Sequence, residues 1–429
     1  MSALTHPSAH SLRQPLAQCC STNPLSFGTA LEQERFRDIQ QRLSLDYCKW
    51  DCQVGDVSTL FRQPLLIAAL EWKRLKELAE ALACELEEAE QELLFRPELH
   101  KMLGVPAPLR SVLKDAARCG ATPCAVRTMR FDFHYTYDGW QISEVNSDVP
   151  GGYIEASIFT EMVGQCVPRA KPVGDPAHVW TEKLVRAVGE CRCVALLSTI
   201  GFLEDQQVTA FLASQLQQRG IEAVLLHHPA QLSWEGGRAS AIARGRRVEL
   251  GAVVRFYQGE WLADRRTKSG WQCLFARGKT LVTNPATAVL TESKRFPLTW
   301  GFLSNSMPTW RTLLPECRNP KNKEWHDDVE WVLKMAYSNT GDEVHIRDLM
   351  SAELWVKLCR AVRRHPEDWI LQRRFHQRAI ESNAGPMYPC IGVYVIDGVV
   401  VGAYARVSTK QVIDYAAIDA AFLVEDKQC

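Results

Sequence analysis

Arg130-Phe-Asp-Phe-His134, a Tyr137-Asp-Gly139 turn and Ser143-Glu-Val-Asn-Ser-Asp-Val-Pro-Gly-Gly152 concentrate side chains able to do chemistry. Apolar and polar residues alternate on both sides of the turn, which predicts a hairpin with one buried face and one polar face. Its register decides which side chains meet. A two-residue Asp-Gly loop would put Asp132 and Glu144 on opposite faces of the ribbon. A three-residue loop ending in Gly139, at a left-handed position, sets Asp132 opposite Glu144 and Arg130 opposite Asn146. The second register is the expectation. It gathers two carboxylates, an amide oxygen and a guanidinium on one face, a set suited to a hard cation and a phosphate. An ordinary surface hairpin with a charged outer face is compatible with the same residue types.

Further along, Lys334 ends the apolar run Trp331-Val-Leu-Lys-Met335 and precedes the polar loop Ala336-Tyr-Ser-Asn-Thr-Gly-Asp342. A lysine beside a loop of free backbone N–H groups can clamp a nucleotide polyphosphate, with the loop through Gly341 closing over it. A strand-end lysine whose head group reaches solvent is the plainer alternative. Lys294, in Thr291-Glu-Ser-Lys294, is ordinary by itself. Gln372 closes a Trp-Ile-Leu strand whose backbone groups could pair with an adenine edge, although polar residues on edge strands are common. Arg406 lies on a strand rich in Val, Ala and Tyr. A charge facing a core there needs a phosphate or an acid as its partner.

Three units must position these groups. From about Thr29 to Ala117 the chain reads as helical, with Leu65 to Leu94 rich in Leu, Ala, Glu and Lys at helical spacing. Pro97 and Gly104-Val-Pro-Ala-Pro108 punctuate that run, and a helix is expected from Ile154 to Val163 after the hairpin. From about Leu184, strands at Val194–Leu197, Ala223–Leu226, Val248–Phe256 and Thr280–Thr283 surround a helix at Asp205–Gln218. That alternation predicts an open α/β sheet. No Gly-x-Gly-x-x-Gly follows its first strand, which disfavours a dinucleotide site of the usual kind. From about Pro297, strands are expected at Trp331–Met335, Val344–Ile346, Trp369–Arg373, Cys390–Ile396 and Val399–Val407, with a helix at Leu349–Val362. Asp397-Gly398 is a strong hairpin turn. The expected division is a flexible lead-in over 1–28, a helical region with the hairpin over 29–183, a Rossmann-like subdomain over 184–296 and a last lobe over 297–429.

Composition narrows the class. The 429 residues carry 50 Lys+Arg against 50 Asp+Glu, so no global field steers the chain towards nucleic acid or an anionic membrane. No run of about eighteen apolar residues marks a membrane span, and Met1 to Cys20 lacks the pattern of a secretory signal. Fifteen cysteines, an odd count scattered through core-like segments, argue for a reducing compartment, and the cytoplasm is expected. No pair of close cysteines is joined to a second pair at zinc-site spacing.

In this order, Arg-Phe-Asp, Glu-x-Asn, Lys294, Lys334 with its glycine loop, Trp-Ile-Leu-Gln372 and Arg406 resemble the glutathionylspermidine synthase-like family of circularly permuted ATP-grasp ligases. The resemblance runs from about Leu43 onward. It implies an α+β and α/β fold, with ATP gripped between antiparallel sheets beside a Rossmann-like unit, and makes 297–429 the nucleotide-binding lobe. By the same resemblance Asp132, Glu144 and Asn146 would hold Mg²⁺, and Arg130 and Arg406 would meet the transferring phosphoryl group. Lys294, Lys334, Gly341 and Gln372 would bind ATP. The implied reaction is ATP-dependent amide formation between a small carboxylate, such as a peptide, and an amine, through an acyl phosphate. Some family features are absent. Val407 stands where an acid usually follows the late arginine, Asn339-Thr-Gly341 replaces Arg-Glu-Gly, Gly151-Gly152 replaces Thr-Ser, and Arg373 follows Gln372 in place of an acid. Polyamine recognition needs acids, so the two that are missing weigh against spermidine. A catalytically silent homologue that binds a nucleotide or metabolite is the alternative reading. A metal-dependent hydrolase would need a histidine pair that the sequence does not offer.

Overall fold

The computed structural model describes residues 23–55, 57–263, 269–338, 344–414 and 416–425. Its central feature is a six-stranded antiparallel sheet. Across it run Ile418–Ala420, Val399–Ser408, Gly385–Ile396, Thr128–Thr136 and Gly139–Asn146, with Ile380–Ser382 paired to the start of the third. The alternation in Thr128–Thr136 explains its place. Met129, Phe131 and Phe133 are fully buried in the main core, joined there by Ile391, Val393 and Val395 of the neighbouring strand. Asp397 and Gly398 both have positive φ (47° and 78°), the conformation a two-residue type I′ turn requires. The long helix Ala69–Leu94 covers the apolar face. Its Trp72, Leu75, Ala79, Leu82, Leu86 and Leu93 recur at helical spacing and are buried.

The second unit is a parallel sheet in the order Leu281–Thr283, Ala252–Phe256, Cys193–Ser198 and Glu222–Leu226. The helix Leu203–Gln218 makes the crossover between the last two, as the alternation predicts. The single strand expected over Val248–Phe256 is in fact two. Arg246–Glu249 belongs to a three-stranded meander with Ser233–Glu235 and Arg238–Ala243, and Leu250-Gly251 breaks it from the parallel strand.

The third unit is a four-stranded antiparallel sheet in the order Cys317–Arg318, Trp369–Arg373, Trp331–Met335 and Val344–Ile346. Trp325, Trp331, Leu333, Trp355, Val362, Trp369 and Leu371 form a separate core between one face and the helix Ala352–Arg364. The other face, carrying Val332, Lys334 and Gln372, looks across a cleft at the polar face of the six-stranded sheet.

One helical expectation and part of the expected flexible lead-in fail near the N-terminus. Leu65–Ala68 is a strand, and so is Leu25–Phe27 within the expected lead-in. Both join Phe422–Glu425 and Ala170–Pro172 in a further sheet. Leu65, Leu66 and Ile67 are all buried, so this apolar run needs a two-sided environment, and helical propensity yields to it. Among the described residues no helix is long and apolar enough to cross a membrane, and every cysteine is a free thiol.

Candidate functional site

The hairpin pairs Asp132 with Glu144 and Arg130 with Asn146, as expected, but by a different device. The loop has two residues, Tyr137 and Asp138, with Thr136 opposite Gly139. The additional residue is Ser143, which bulges out where the register shifts at the Asp132–Phe133 step. The bulge has chemical consequences. The Ser143 carbonyl accepts from Lys334 Nζ at 3.0 Å, tying the hairpin to the facing sheet, and its hydroxyl lies 3.0 Å from His134 Nε2.

Cross-strand pairing turns the polar face into a grid. Asn146, Arg130 and Tyr394 form one row, and Glu144, Asp132, Gly392 and Tyr404 the next. Cys390, Arg406 and Asp419 continue the face. Arg130 lies along the sheet and grips Asp132 with both ends, Nε to Oδ1 at 2.9 Å and Nη2 to Oδ2 at 3.2 Å. This pose requires Gly392, because a Cβ there would sit 2.9 Å from Arg130 Cδ. Arg130 Nη1 also donates to Gly151 O at 3.0 Å, and the guanidinium stands 5.7 Å from the Tyr404 ring centre. Arg406 Nη2 reaches Asp132 Oδ2 at 2.7 Å. The partner that a charge on this strand needs is therefore an acid. Asn146 Nδ2 lies 3.4 Å from the same oxygen.

Lys294 and Lys334 approach Glu144 from the other side. Lys294 Nζ is 3.3 Å from Glu144 Oε2 and donates to Ser338 O at 2.7 Å. Burial pushes the Glu144 carboxyl up, but Lys294, Lys334 and Arg406 together outweigh it and bring it down to about 2. Burial likewise disfavours both ammonium groups. For Lys294 the fields of Glu144 and Glu292 win and its pKa rises, whereas for Lys334 burial wins and its pKa falls. Lys334 makes no ion pair among the described residues, so it is a buried cation facing a cleft with room for an anion.

Beneath the hairpin a sealed network fixes its exit. Asp148 and Arg255 form a bidentate pair with both side chains fully buried, and Asp148 Oδ2 also accepts from Gly259 N at 2.7 Å. Glu292 Oε2 accepts from Ser147 N at 2.6 Å and Asp148 N at 2.9 Å. Asn284 accepts from Thr128 N at 2.7 Å and donates to Thr128 O and Asp148 O.

The cleft encloses about 90 Å³ where the two sheets face each other. Asp132, Glu144, Lys334, Gln372 and Arg406 line it, and Lys294 lines an adjoining space of about 30 Å³ that shares Glu144, Lys334 and Gln372. Arg130 and Asn146 stand behind, against Asp132. Gly341 lies outside the described residues. Sequence reasoning missed Ser143, Gly392, Gln377, Gln411 and the Asp148–Arg255 pair. A glycine inside the Cys390-Ile-Gly-Val strand was the one available signal, since strand glycines mark close approach. Val407, by contrast, is fully buried in the main core, so it takes no part in the cleft.

A family model described as glutathionylspermidine synthase preATP-grasp matches residues 63–424. The chain belongs to this family. Comparison with curated proteins gives no match. Among solved structures it is similar to a glutathione synthetase-like effector from Globodera pallida in its apo form. The two are 15% identical, with 91% of this chain and 98% of that one covered at a TM-score of 0.58. That likeness shows the fold, a mixed α/β architecture of the ATP-grasp-like ligase kind. A putative gamma-glutamylcysteine synthetase from Methylobacillus flagellatus KT is 12% identical over 76% of this chain and 87% of that one, at a TM-score of 0.41.

Proposed function

We propose that this family member is an ATP-dependent carboxylate–amine ligase, forming an amide through an acyl phosphate. One observation carries the reading. Arg130, Arg406, Lys294 and Lys334 gather around Asp132 and Glu144 between two antiparallel sheets, so cations outnumber carboxylates among these largely buried side chains. Such a set calls for a polyanion. The neighbour at a TM-score of 0.58 is a glutathione synthetase-like effector, and family and site chemistry agree with amide formation.

The donor set fits magnesium in company with phosphate. Among the described residues no three His, Cys, Asp or Glu side chains gather to cage a metal alone. Mg²⁺ is commonly held by one or two carboxylates and completed by substrate phosphates, which is what Asp132, Glu144 and the Asn146 amide offer. When bound, the ion would neutralise phosphate charge. The chain's own residues do the rest. Asp132 holds Arg406 at the cleft wall with Arg130 behind it, and the two guanidinium groups would stabilise charge on the transferring phosphoryl group. Lys334 and Lys294 would hold the remaining phosphates, with Gln372 towards the adenine. A circularly permuted order, with the metal hairpin ahead of a nucleotide lobe over 297–429, and a Rossmann-like subdomain over 184–296, belong to the same proposal. The expected substrates are a small carboxylate, such as a peptide, and an amine, in the cytoplasm.

Incubation with Mg-ATP and pooled amino acids, small peptides and amines tests the reading. Phosphate release that depends on both a carboxylate and an amine is expected. ATP binding without turnover across a broad panel would sink it.

A further inference from the structure

A buried guanidinium joins the main body of the molecule to the four-stranded sheet. Arg295 is 2% exposed and makes no ion pair among the described residues. Its partners are three backbone carbonyls. Nε donates to Met102 O at 2.7 Å, and Nη1 donates to Pro366 O at 3.0 Å and to Trp369 O. Met102 follows the long helix, between Leu99 and Leu103 of the main core. Trp369 opens the strand Trp369–Arg373 and packs in the separate core of the four-stranded sheet.

The rest of this joint is equally close. Lys294 N donates to Ala336 O at 2.8 Å, and Ala336 N to Asp368 O at 2.7 Å. Ser293 Oγ donates to Leu103 O at 2.5 Å and accepts from Arg295 N at 3.2 Å. Gly104 has a φ of 75°, and a Cβ there would lie 2.9 Å from Glu367 O and 3.4 Å from Arg295 Cδ.

A buried cation without an acid is an unfavourable choice for a simple strut. Burial outweighs the pull of Asp368 and Glu367 and lowers the pKa of this guanidinium. Where the molecule needs a strut it uses a full ion pair, Asp148 with Arg255. What three carbonyls on two bodies supply is geometry, because a rigid planar fork meets all of them at one relative placement. That placement reaches the cleft. Trp369 precedes Ile370, the cross-strand partner of Lys334, and the same strand carries Gln372. Lys294, the chain neighbour of Arg295, meets Glu144 and the Ser338 carbonyl. A shift at the joint therefore moves Lys334 and Gln372 relative to Glu144.

We infer that Arg295 is a positioning residue: by clamping Met102, Pro366 and Trp369 it holds the four-stranded sheet at the distance from the hairpin at which Lys334 and Glu144 engage one nucleotide. The inference rests on the ligase reading above and adds a residue that acts on the nucleotide only through others.

Calorimetric titration with Mg-ATP tests it on wild type, Arg295→Lys, Lys334→Met and the double variant, beside a thermal melt of each. Lysine keeps the charge but loses the fork. R295K is expected to fold and to bind Mg-ATP roughly tenfold more weakly, within the range for residues coupled through a shared backbone shift. In the K334M background the same substitution should weaken binding by about twofold or less, because the lysine it misplaces is already gone. A residue that only stabilised the fold would lower the melting temperature and leave the affinity of the folded fraction unchanged; the binding stoichiometry counts that fraction separately. Should R295K fail to fold, Gly104→Ala carries the test, since its Cβ would press on Glu367 O and wedge the same joint, and the same Lys334-dependent loss is expected. Wild-type affinity in the variant tested, or equal losses with and without Lys334, overturns the inference while leaving the ligase reading standing. A wild-type protein that binds no Mg-ATP overturns both.

Discussion

Asp132 and Asp148 stand sixteen positions apart in one motif, and each is held by arginine, yet they do opposite things. Asp148 and Arg255 are both fully buried, and a backbone N–H from Gly259 adds to the pair. Neither side chain lines the cleft. Asp132 is almost as buried, but its second arginine, Arg406, is 20% exposed along the cleft wall. The first pair is a strut that holds the end of the hairpin against the parallel sheet. The second holds the Arg406 guanidinium at the cleft wall, with Arg130 braced behind it. A buried ion pair is thus not in itself a sign of a site; what distinguishes the two is whether a partner borders open space.

Three substitutions test that contrast, in descending order of effect. Glu144→Ala, on the cleft side, is expected to reduce turnover by on the order of 10²-fold or more while the folding transition moves little, because Lys294 keeps the Ser338 carbonyl. Steady-state rates beside a thermal melt measure both, and wild-type-like turnover would remove Glu144 from the proposed metal set. Asp148→Ala, on the sealed side, is expected to destabilise the fold by about 3–5 kcal/mol, since it strands the Arg255 charge. Chemical denaturation reads this, and a midpoint close to wild type would show that the strut is dispensable.

Glu292 supplies the smallest effect and the one with a sign in pH. Burial, reinforced by the nearby Asp148, raises its carboxyl from 4.5 to about 7. A raised acid contributes stability that is fully present below its unfolded pKa and is lost as pH climbs through its folded one. Stability should therefore decline between about pH 4.5 and 7, and Glu292→Gln should flatten that stretch. Parallel denaturation curves for the two proteins across this range provide the check, and identical slopes would count against it.

Much of the architecture was legible in the chain. Alternation in Thr128–Thr136 and Gly139–Asn146, the Asp397-Gly398 turn and the parallel strands around Leu203–Gln218 are local patterns, and the structure has all of them. The failures are equally physical. Leu65–Ala68 has residues that suit a helix or a buried strand, and only the pairing with Leu25–Phe27 and Phe422–Glu425 decides between them. The last strand of the meander, Arg246–Glu249, escaped because its end merges with Ala252–Phe256 in the single strand-like run Val248–Phe256.

The sequence by itself determined that a polar face exists and which side chains populate it, because a strand's period of two assigns every residue to a face. It also required Arg406 to find an acid or a phosphate. Only the tertiary structure decided which one it found, that the register comes from a bulge at Ser143, and that Gly392 clears the way for Arg130. The Arg406–Asp132 pair and the Gly392–Arg130 contact join segments more than two hundred residues apart. No local periodicity encodes such contacts; the packing of two sheets across a cleft does.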